Sequence, residues 1–271
     1  MKKISAIEIF SKAFYFTFSN FNLILLIFLI HAIANTISTI ILHYFNPPYL
    51  ISYEYTSVTP TFSISKESLL AQIGVGIFLF LTSIFSLIVI FLYIFSKKYK
   101  EINIKEIILN TKNYYFGFLI LILVLLSPFI LPLIPLVLMF FIPFMLTPLV
   151  SLLILLISFL VFLIISIYIN LRLTLSFPIY FEKKKILKSL KESWKITRGN
   201  VLKLFLIEIL ISLIVFALYL VFLIFSLPFL LLNKLLANIL ELFISSFFIS
   251  ILQIMLASSY TFFYFKLKGK K

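Results

Sequence analysis

Long apolar runs without a charged residue are the feature that most constrains this chain. The segment from Tyr114 to Leu171 contains no charge, and it is long enough for two membrane-spanning helices of about 20 residues each. Of all residues, 63% are hydrophobic and 12% charged, against about 45–50% and about 25% in soluble domains. We therefore expect the chain to fold in a lipid bilayer.

The continuity of these runs predicts helices. Inside lipid the backbone polar groups must bond to one another, which leaves only α-helices and closed β-barrels. Barrel strands alternate apolar and polar residues over about ten positions, and the runs in this chain do not alternate. The predicted fold is an all-α bundle of six transmembrane helices. The expected spans are about Phe21–Tyr44, about Ser68–Phe95, two within Tyr114–Leu171, about Val201–Leu227, and one ending near Phe265.

A proline cluster separates the third and fourth spans. The stretch "SPFILPLIPLVLMFFIPFMLTP" (127–148) holds five of the ten prolines. Because proline lacks a helix donor and clashes with the preceding turn, a further span there is not expected. We predict an apolar external hairpin, kinked or partly re-entrant.

The distribution of basic residues predicts the orientation. With six spans, one side of the membrane receives 21 of the 23 Lys and Arg residues, all except Lys66 and Lys234. Cytoplasmic loops collect Lys and Arg. The sequence thus predicts a multi-pass protein of the cell membrane with both termini in the cytoplasm.

An internal repeat is visible before spans one, three and five. The segments are "AIEIFSKAFYFTFSNFNLILL", "IKEIILNTKNYYFGFLILI" and "ILKSLKESWKITRGNVLKLFL", and their ungapped alignment superposes Ser19, Gly117 and Gly199. Each unit is predicted to be a short cytoplasmic surface helix, a small or turn-forming residue, and two spans; internal repeats are common in membrane folds. The alternative is that any juxtamembrane helix in a chain rich in Lys, Ile and Phe looks alike. The units would be about 4–95, 102–171 and 184–265 of a single domain, 1–271.

The most polar stretch, "LKSLKESWKITRGN", contains the only tryptophan. At about 100° per residue, one side of a helix over 184–198 is apolar and the other basic, which is typical of a helix lying at a membrane surface. Gly199 is expected to end it. The alternative is that the charges only enforce orientation. The apolar side would hold Ile186, Leu187, Leu190, Ser193, Trp194 and Thr197. The residues expected at anionic lipid headgroups are Lys184, Lys185, Lys188, Lys191, Trp194, Lys195 and Arg198.

Span one carries a polar stripe. His31, Asn35, Thr39 and His43 recur every four residues and share one helix face. They could line a polar or proton path, or they could hydrogen-bond neighbouring helices, which in membranes is worth only about 1 kcal/mol per contact.

Glu208 is the only acid well inside an apolar run. Intramembrane ionisable groups usually have a partner, and Arg172 is the expected one, with Lys203 as the other candidate. The pair could be a gated ion pair or proton site, or it could lock spans four and five. On span six, Ser246, Ser250 and Gln253 share a face and are predicted to be packing contacts.

The composition argues against most kinds of metal site and enzyme active site. The chain has no Cys, no Asp, nine Glu and two His, so few side chains are available to bind a metal or to act as paired catalytic carboxylates. No phosphate-binding glycine motif is present. We expect no enzyme activity, no cofactor and no metal. Although the net charge is +14, the basic residues are juxtamembrane, so the expected partner is anionic lipid rather than nucleic acid.

The stretch "LRLTLSFPIYFEKKKILKSLKESWKITRGNVLKLFLIEIL" resembles the signature of a six-span membrane domain. That domain is named after glycerophosphoryl diester phosphodiesterase and includes related uncharacterised archaeal and bacterial membrane proteins. The matching features are "LR", "FP", an acidic-plus-basic run, and Ser-Trp-Lys before Arg-Gly-Asn; "IEIFSKAFYFTFSNFNLILL" is similar to the family's opening. The resemblance implies a six-span fold. The enzyme name belongs to members fused to a soluble catalytic domain, so no phosphodiesterase activity is implied.

Two functions fit these expectations best. The first is a non-enzymatic scaffold or lipid-organising accessory protein with a basic cytoplasmic face and a protein partner that the sequence does not identify. The alternative is a transporter or permease component, which would need a water-accessible path joining span one to Glu208. An integral membrane enzyme is the weakest alternative. A dry, well-packed core would favour the scaffold.

Overall fold

The computed structural model describes residues 5–45, 66–98, 104–139, 148–232 and 234–269. Within these ranges the regular elements are helices and no strand occurs. This confirms the all-α prediction. The α-helices are α1 (Ala6–Phe18), α2 (Phe21–Phe45), α3 (Lys66–Lys98), α4 (Ile104–Leu126), α5 (Leu133–Met139), α6 (Pro148–Leu173), α7 (Ser176–Lys183), α8 (Ile186–Ile196), α9 (Val201–Leu232) and α10 (Lys234–Lys268).

Six of these helices are long and apolar enough to cross a membrane: α2, α3, α4, α6, α9 and α10. They coincide with the six predicted spans, and they indicate a multi-pass membrane protein. Helix α4 begins at Ile104, before the predicted start at Tyr114, and α9 continues to Leu232, beyond the predicted end at Leu227.

Helix α10 lies at the centre of the bundle and packs against α1, α2, α3 and α9. Its side chains Ile254, Met255 and Phe263 are completely buried. Ala257 and Ser258 are buried between them, and such small residues let membrane helices approach closely. Helix α6 is the opposite case, since almost none of its most apolar stretch is buried.

The proline cluster bends the chain in the predicted way, as far as the structure describes it. Helix α4 gives way to a 3-10 turn at Ser127–Ile130, and α5 follows; residues 140–147 lie outside the described ranges. The carbonyl of Pro128 accepts from the N–H of Leu131 at 3.1 Å and also from the hydroxyl of Ser166 in α6, at 2.6 Å. A span-four side chain thus stabilises the kink.

Helix α7 was not expected as a separate element. Its aromatic side chains Phe177 and Phe181 pack into the bundle against Phe91 of α3 and Phe118 of α4. The closest ring centroids are 4.9 Å apart, between Phe118 and Phe177. Helix α7 opens the basic stretch between the fourth and fifth predicted spans, which was expected on the cytoplasmic side. The start of that stretch is therefore part of the core.

The prediction of a break in the middle repeat unit is wrong. Helices α1 and α8 are short and end in turns before α2 and α9, but α4 runs through Gly117 without interruption. The glycine allows a close contact instead, because a Cβ atom there would lie 2.0 Å from the hydroxyl oxygen of Tyr180 in α7. The threefold repeat itself remains a prediction.

Candidate membrane-surface site

Helix α8 occupies most of the segment predicted as a surface helix. It follows Lys184, whose φ of +53° is left-handed, and an extended Lys185. A turn over 197–200 ends it, and Gly199 has a φ of +78°. Gly199 was predicted to end the helix, but α8 already ends at Ile196 with Thr197 as its C-cap. Gly199 lies in the turn beyond it, where glycine adopts a left-handed conformation at little steric cost.

The inner side of α8 is formed by small polar residues. Ser189, Ser193 and Thr197 are completely buried. The hydroxyl of Ser193 donates to the carbonyl oxygen of Arg172 at 2.8 Å, and that of Thr197 donates to the same oxygen at 3.2 Å. These bonds fix α8 to the end of α6.

The side chain of Arg172 makes a second set of contacts between α6 and α8. Its guanidinium lies 4.3 Å from the ring centre of Trp194 and donates to the Tyr168 hydroxyl at 3.0 Å and to the Trp194 carbonyl oxygen. The residue is only 7% exposed. None of the four ion pairs within the described ranges involves Arg172, so its charge is stabilised by an aromatic face and a carbonyl. Such a contact contributes up to about 2 kcal/mol when desolvated.

The outer side of α8 is divided into two sectors. Leu187 and Trp194 are 74% and 42% exposed, and they lie about 20° apart around the helix. On the side of Leu187 away from Trp194, the first exposed basic residue lies about 20° from Leu187, and the exposed basic residues together span about 80° of the helix surface. These residues are Lys188, Lys191, Lys195 and Arg198.

The predicted two-sided helix therefore needs a correction. Ser193 and Thr197 face the protein, because their small side chains and hydroxyls bond the carbonyl of Arg172. Leu187 and Trp194 remain as an apolar edge between the docked sector and the basic sector. A helix with three sectors can bind the bundle and a membrane surface at once.

Two neighbouring basic residues are partly engaged by the protein. The ammonium of Lys184 lies 4.8 Å from the ring centre of Tyr114, and Lys183 pairs with Glu192. Lys185 is exposed. The α8 basic face, defined as Lys185, Lys188, Lys191, Lys195 and Arg198, has no ion pair among the described residues.

The predicted pairing of Glu208 with Arg172 is wrong. Glu208 of α9 accepts a hydrogen bond from the hydroxyl of Tyr260 in α10, at 2.8 Å. The other candidate, Lys203, donates to Asn200 at 3.2 Å. The Arg172 guanidinium instead contacts α8, where it bonds the Trp194 carbonyl oxygen and lies over the Trp194 ring.

The polar stripe of span one contacts span six. His31 lies 3.0 Å from the Gln253 side-chain oxygen, measured from Nε2, and Asn35 donates to Ser246 at 2.8 Å. Thr39 bonds the carbonyl of its own helix. His43, like Thr39, is exposed. The arrangement matches the interpretation of the stripe and of the span-six residues as contacts between helices.

Sequence reasoning missed a set of charged contacts around the end of α10. Lys266 pairs with Glu8 of α1, which also pairs with Lys12 at 3.1 Å, and Lys268 pairs with Glu182 of α7. The hydrogen bonds from Lys266 and Lys12 hold the pKa of Glu8 below its usual value. Only the Glu8–Lys12 pair had a sequence signal, a spacing of four residues.

Two of the surface clefts in the described part of the chain are well formed, and neither of these two is lined by His31, Asn35 or Glu208. In the part of the chain that the structure describes, no three His or Glu side chains converge on a metal position. No family model, no curated protein and no solved structure matches this chain.

Proposed function

We propose that this protein is a non-enzymatic, multi-pass membrane protein whose α8 basic face binds anionic lipid headgroups at the cytoplasmic surface. It would organise such lipids around the bundle or act as a scaffold on them. The observation that carries this proposal is the three-sector geometry of α8. Its inner sector is bonded to Arg172, while Trp194 and the basic residues point away from the bundle.

Each sector of α8 has a physical role at a membrane. The indole of Trp194 favours the headgroup level, because its ring is apolar and its N–H is polar. Each Lys or Arg near an anionic surface contributes about 1 kcal/mol. The basic residues of the α8 basic face form no ion pair among the described residues, so their charge is not neutralised within the described part of the chain.

The alternative, a transporter, receives less support. A path through the bundle would use His31, Asn35 and Glu208, and each of these hydrogen-bonds a side chain of α10. Direct contacts of this kind are what a packed helix interface contains. They favour the structural reading of these residues.

The proposal includes the orientation, which the asymmetry of Lys and Arg supports. Because the chain has no cysteine, single cysteines introduced at Ser5 and Ser57 report the two sides of the membrane. We expect an impermeant maleimide to label the two positions from opposite sides, with Ser5 reached from the cytoplasm. Labelling of both from one side would contradict the six-span topology.

The binding proposal is tested with the full chain in nanodiscs of phosphatidylcholine alone and of phosphatidylcholine with phosphatidylglycerol. We expect the anionic lipid to raise the melting temperature and to shift the Trp194 emission. A Lys188→Gln/Lys191→Gln variant should lose most of both effects. The matched control is Lys66→Gln/Lys112→Gln, which removes two exposed charges elsewhere. Equal responses from the two variants would contradict a role for α8.

We also propose membership of the six-span domain family named in the sequence analysis. The support is the run "LRLTLSFPIYFEKKKILKSLKESWKITRGN". That run contains Arg172, Ser193, Trp194 and Thr197, the residues that join α6 to α8.

A further inference from the structure

A second basic region lies on the other surface helix, α1. A cleft of about 660 Å³ opens between α1, the end of α3 and α10. Lys12 of α1 and Lys97 of α3 line it, as do Phe16 and Phe262, whose ring centres are 5.6 Å apart. The hydroxyl-bearing residues Ser11, Tyr15 and Ser19 also belong to its lining.

The position of Lys97 is fixed by buried neighbours. Its ammonium donates to the side-chain oxygen of Asn20 at 2.5 Å and lies 5.3 Å from the ring centre of Phe16. Asn20 is 6% exposed, and its oxygen also accepts from the Tyr93 hydroxyl at 3.1 Å. A lysine ammonium has three donors, so this anchoring leaves donors for a ligand.

The charge around the cleft is not balanced. The one carboxylate that lines it, Glu8, is shared between Lys12 and Lys266. Lys97 belongs to none of the ion pairs in the described ranges. The described lining therefore holds two cations and one anion, and that anion is also paired with Lys266 outside the lining, so the positive charge in excess favours an anionic ligand.

We propose that this cleft, referred to below as the α1 cleft, binds the phosphate group of an anionic phospholipid between Lys12 and Lys97. The proposal does not rest on the function assigned to α8, since no residue of α8 lines the α1 cleft. It adds a discrete lipid site to a protein whose other basic surface is open.

The lining of the α1 cleft favours a phospholipid over a soluble phosphate. Most of its exposed lining is apolar, and it includes the rings of Phe16 and Phe262. A free phosphate would leave these rings in water, whereas the glycerol and first methylenes of a lipid would cover them at about 25 cal/mol per Å². The two cations and the aromatic rings of this lining together match an amphipathic anion.

The test uses the full chain, stripped of lipid in a mild detergent, and native mass spectrometry. The probes are phosphatidylglycerol, phosphatidylcholine and inorganic phosphate. We expect one equivalent of phosphatidylglycerol to bind ahead of phosphatidylcholine, and millimolar phosphate not to displace it. Lys97→Gln and Lys12→Gln should each weaken this binding about tenfold, which corresponds to about 1.4 kcal/mol, while Lys97→Arg retains it.

The matched control is Lys66→Gln/Lys112→Gln, which removes two exposed charges outside both proposed lipid surfaces and should bind the first equivalent like the wild type. If Lys188→Gln/Lys191→Gln loses the first equivalent and the α1 variants keep it, the α1 cleft is refuted and the α8 proposal is supported. Equal binding of phosphatidylcholine, or full competition by phosphate, would also overturn the assignment. Lys12 does not contact Asn20, so its variant remains informative if Lys97→Gln fails to fold.

Discussion

The three segments that lead into spans one, three and five differ in how they enter the bundle. In the first and third, a Thr and an Asn close a turn: the N–H of Asn20 donates to the Thr17 carbonyl at 3.2 Å, and that of Asn200 to the Thr197 carbonyl at 2.9 Å. Each Asn carbonyl then accepts the first bonds of the next helix, as expected of an N-terminal cap. The aligned residues of the second segment are Tyr115 and Phe118.

This difference shows that the glycine does not decide where the chain turns. Gly117 and Gly199 occupy the same aligned position, yet one lies inside α4 and the other in a turn. Ser19, the third member, has a helical φ of −78°. Phe118 is fully buried and the Tyr115 hydroxyl donates to the Leu81 carbonyl at 3.0 Å, so these aromatics hold α4 straight against its neighbours.

The largest expected effect comes from filling the space above Gly117. Gly117→Ala should lower the free energy of unfolding by about 1–3 kcal/mol, because overpacking forces the ring of Tyr180 to move. The control is Gly76→Ala, an exposed helical position with nothing within 4 Å of the added carbon; there we expect no loss, or a gain of up to about 1 kcal/mol. Unfolding is followed in detergent by Trp194 fluorescence. Equal effects at both glycines would mean that close approach is not the reason for Gly117.

The next effect concerns the contact between Arg172 of α6 and Trp194 of α8, which only the third segment has. Arg172→Gln should destabilise the protein by about 2 kcal/mol, through loss of the stacking on Trp194 and of its hydrogen bonds. The Trp194 emission should change at temperatures below unfolding, since α8 is released first. Arg172→Lys keeps the charge but not the planar, forked guanidinium. Its stability should lie between that of the wild type and that of Arg172→Gln. An unchanged emission spectrum would contradict the docking role.

The same variant tests the correction to Glu208. Because Glu208 bonds Tyr260 and not Arg172, the effects of Glu208→Gln and Arg172→Gln should add to within about 0.5 kcal/mol. Glu208→Gln and Tyr260→Phe should instead be less than additive. Coupling of Glu208 to Arg172 would restore the original pairing hypothesis.

The sequence predicts what depends on composition and local pattern. The six spans follow from length and apolarity, and the left-handed Gly199 follows from its place after an amphipathic stretch. It does not predict the continuity of α4, the burial of α7 or the partner of Glu208. Each of these depends on side chains far apart in the chain; Glu208 and Tyr260, for example, are separated by 52 positions.

A smaller difference in stability is expected between the two asparagine turns. Asn20→Ala leaves the buried Tyr93 hydroxyl and the Lys97 ammonium without their shared acceptor, which should cost about 1–3 kcal/mol. The side-chain oxygen of Asn200 accepts one hydrogen bond among the described residues, from the Lys203 ammonium at 3.2 Å. Asn200→Ala should therefore cost about 1 kcal/mol or less, typical of a lost cap. Chemical unfolding in mixed micelles measures both. If Asn200→Ala cost as much, the turn itself rather than its tertiary contacts would set the effect.

The smallest effect is the acid sensitivity of the first segment. The aligned position is Glu8 in α1, Glu106 in α4 and Lys188 in α8. Glu8 is paired with Lys266 and Lys12, whereas Glu106 is exposed and outside the ion pairs of the described ranges. The comparison can therefore be made with the same substitution at two aligned sites.

The hydrogen bonds from Lys266 and then Lys12 lower the pKa of Glu8 below its ordinary value of 4.5. Since the folded state holds the proton less tightly than the unfolded state, the stabilisation is fully present above 4.5 and is lost as the pH falls through the lowered pKa. We expect Glu8→Gln to lower the melting temperature slightly at neutral pH, and the difference from the wild type to shrink on acidification. Glu106→Gln should give no such pH-dependent difference. A Glu8 effect that stayed constant down to low pH would show that the side chain acts by packing and that its charge does not tie α1 to α10.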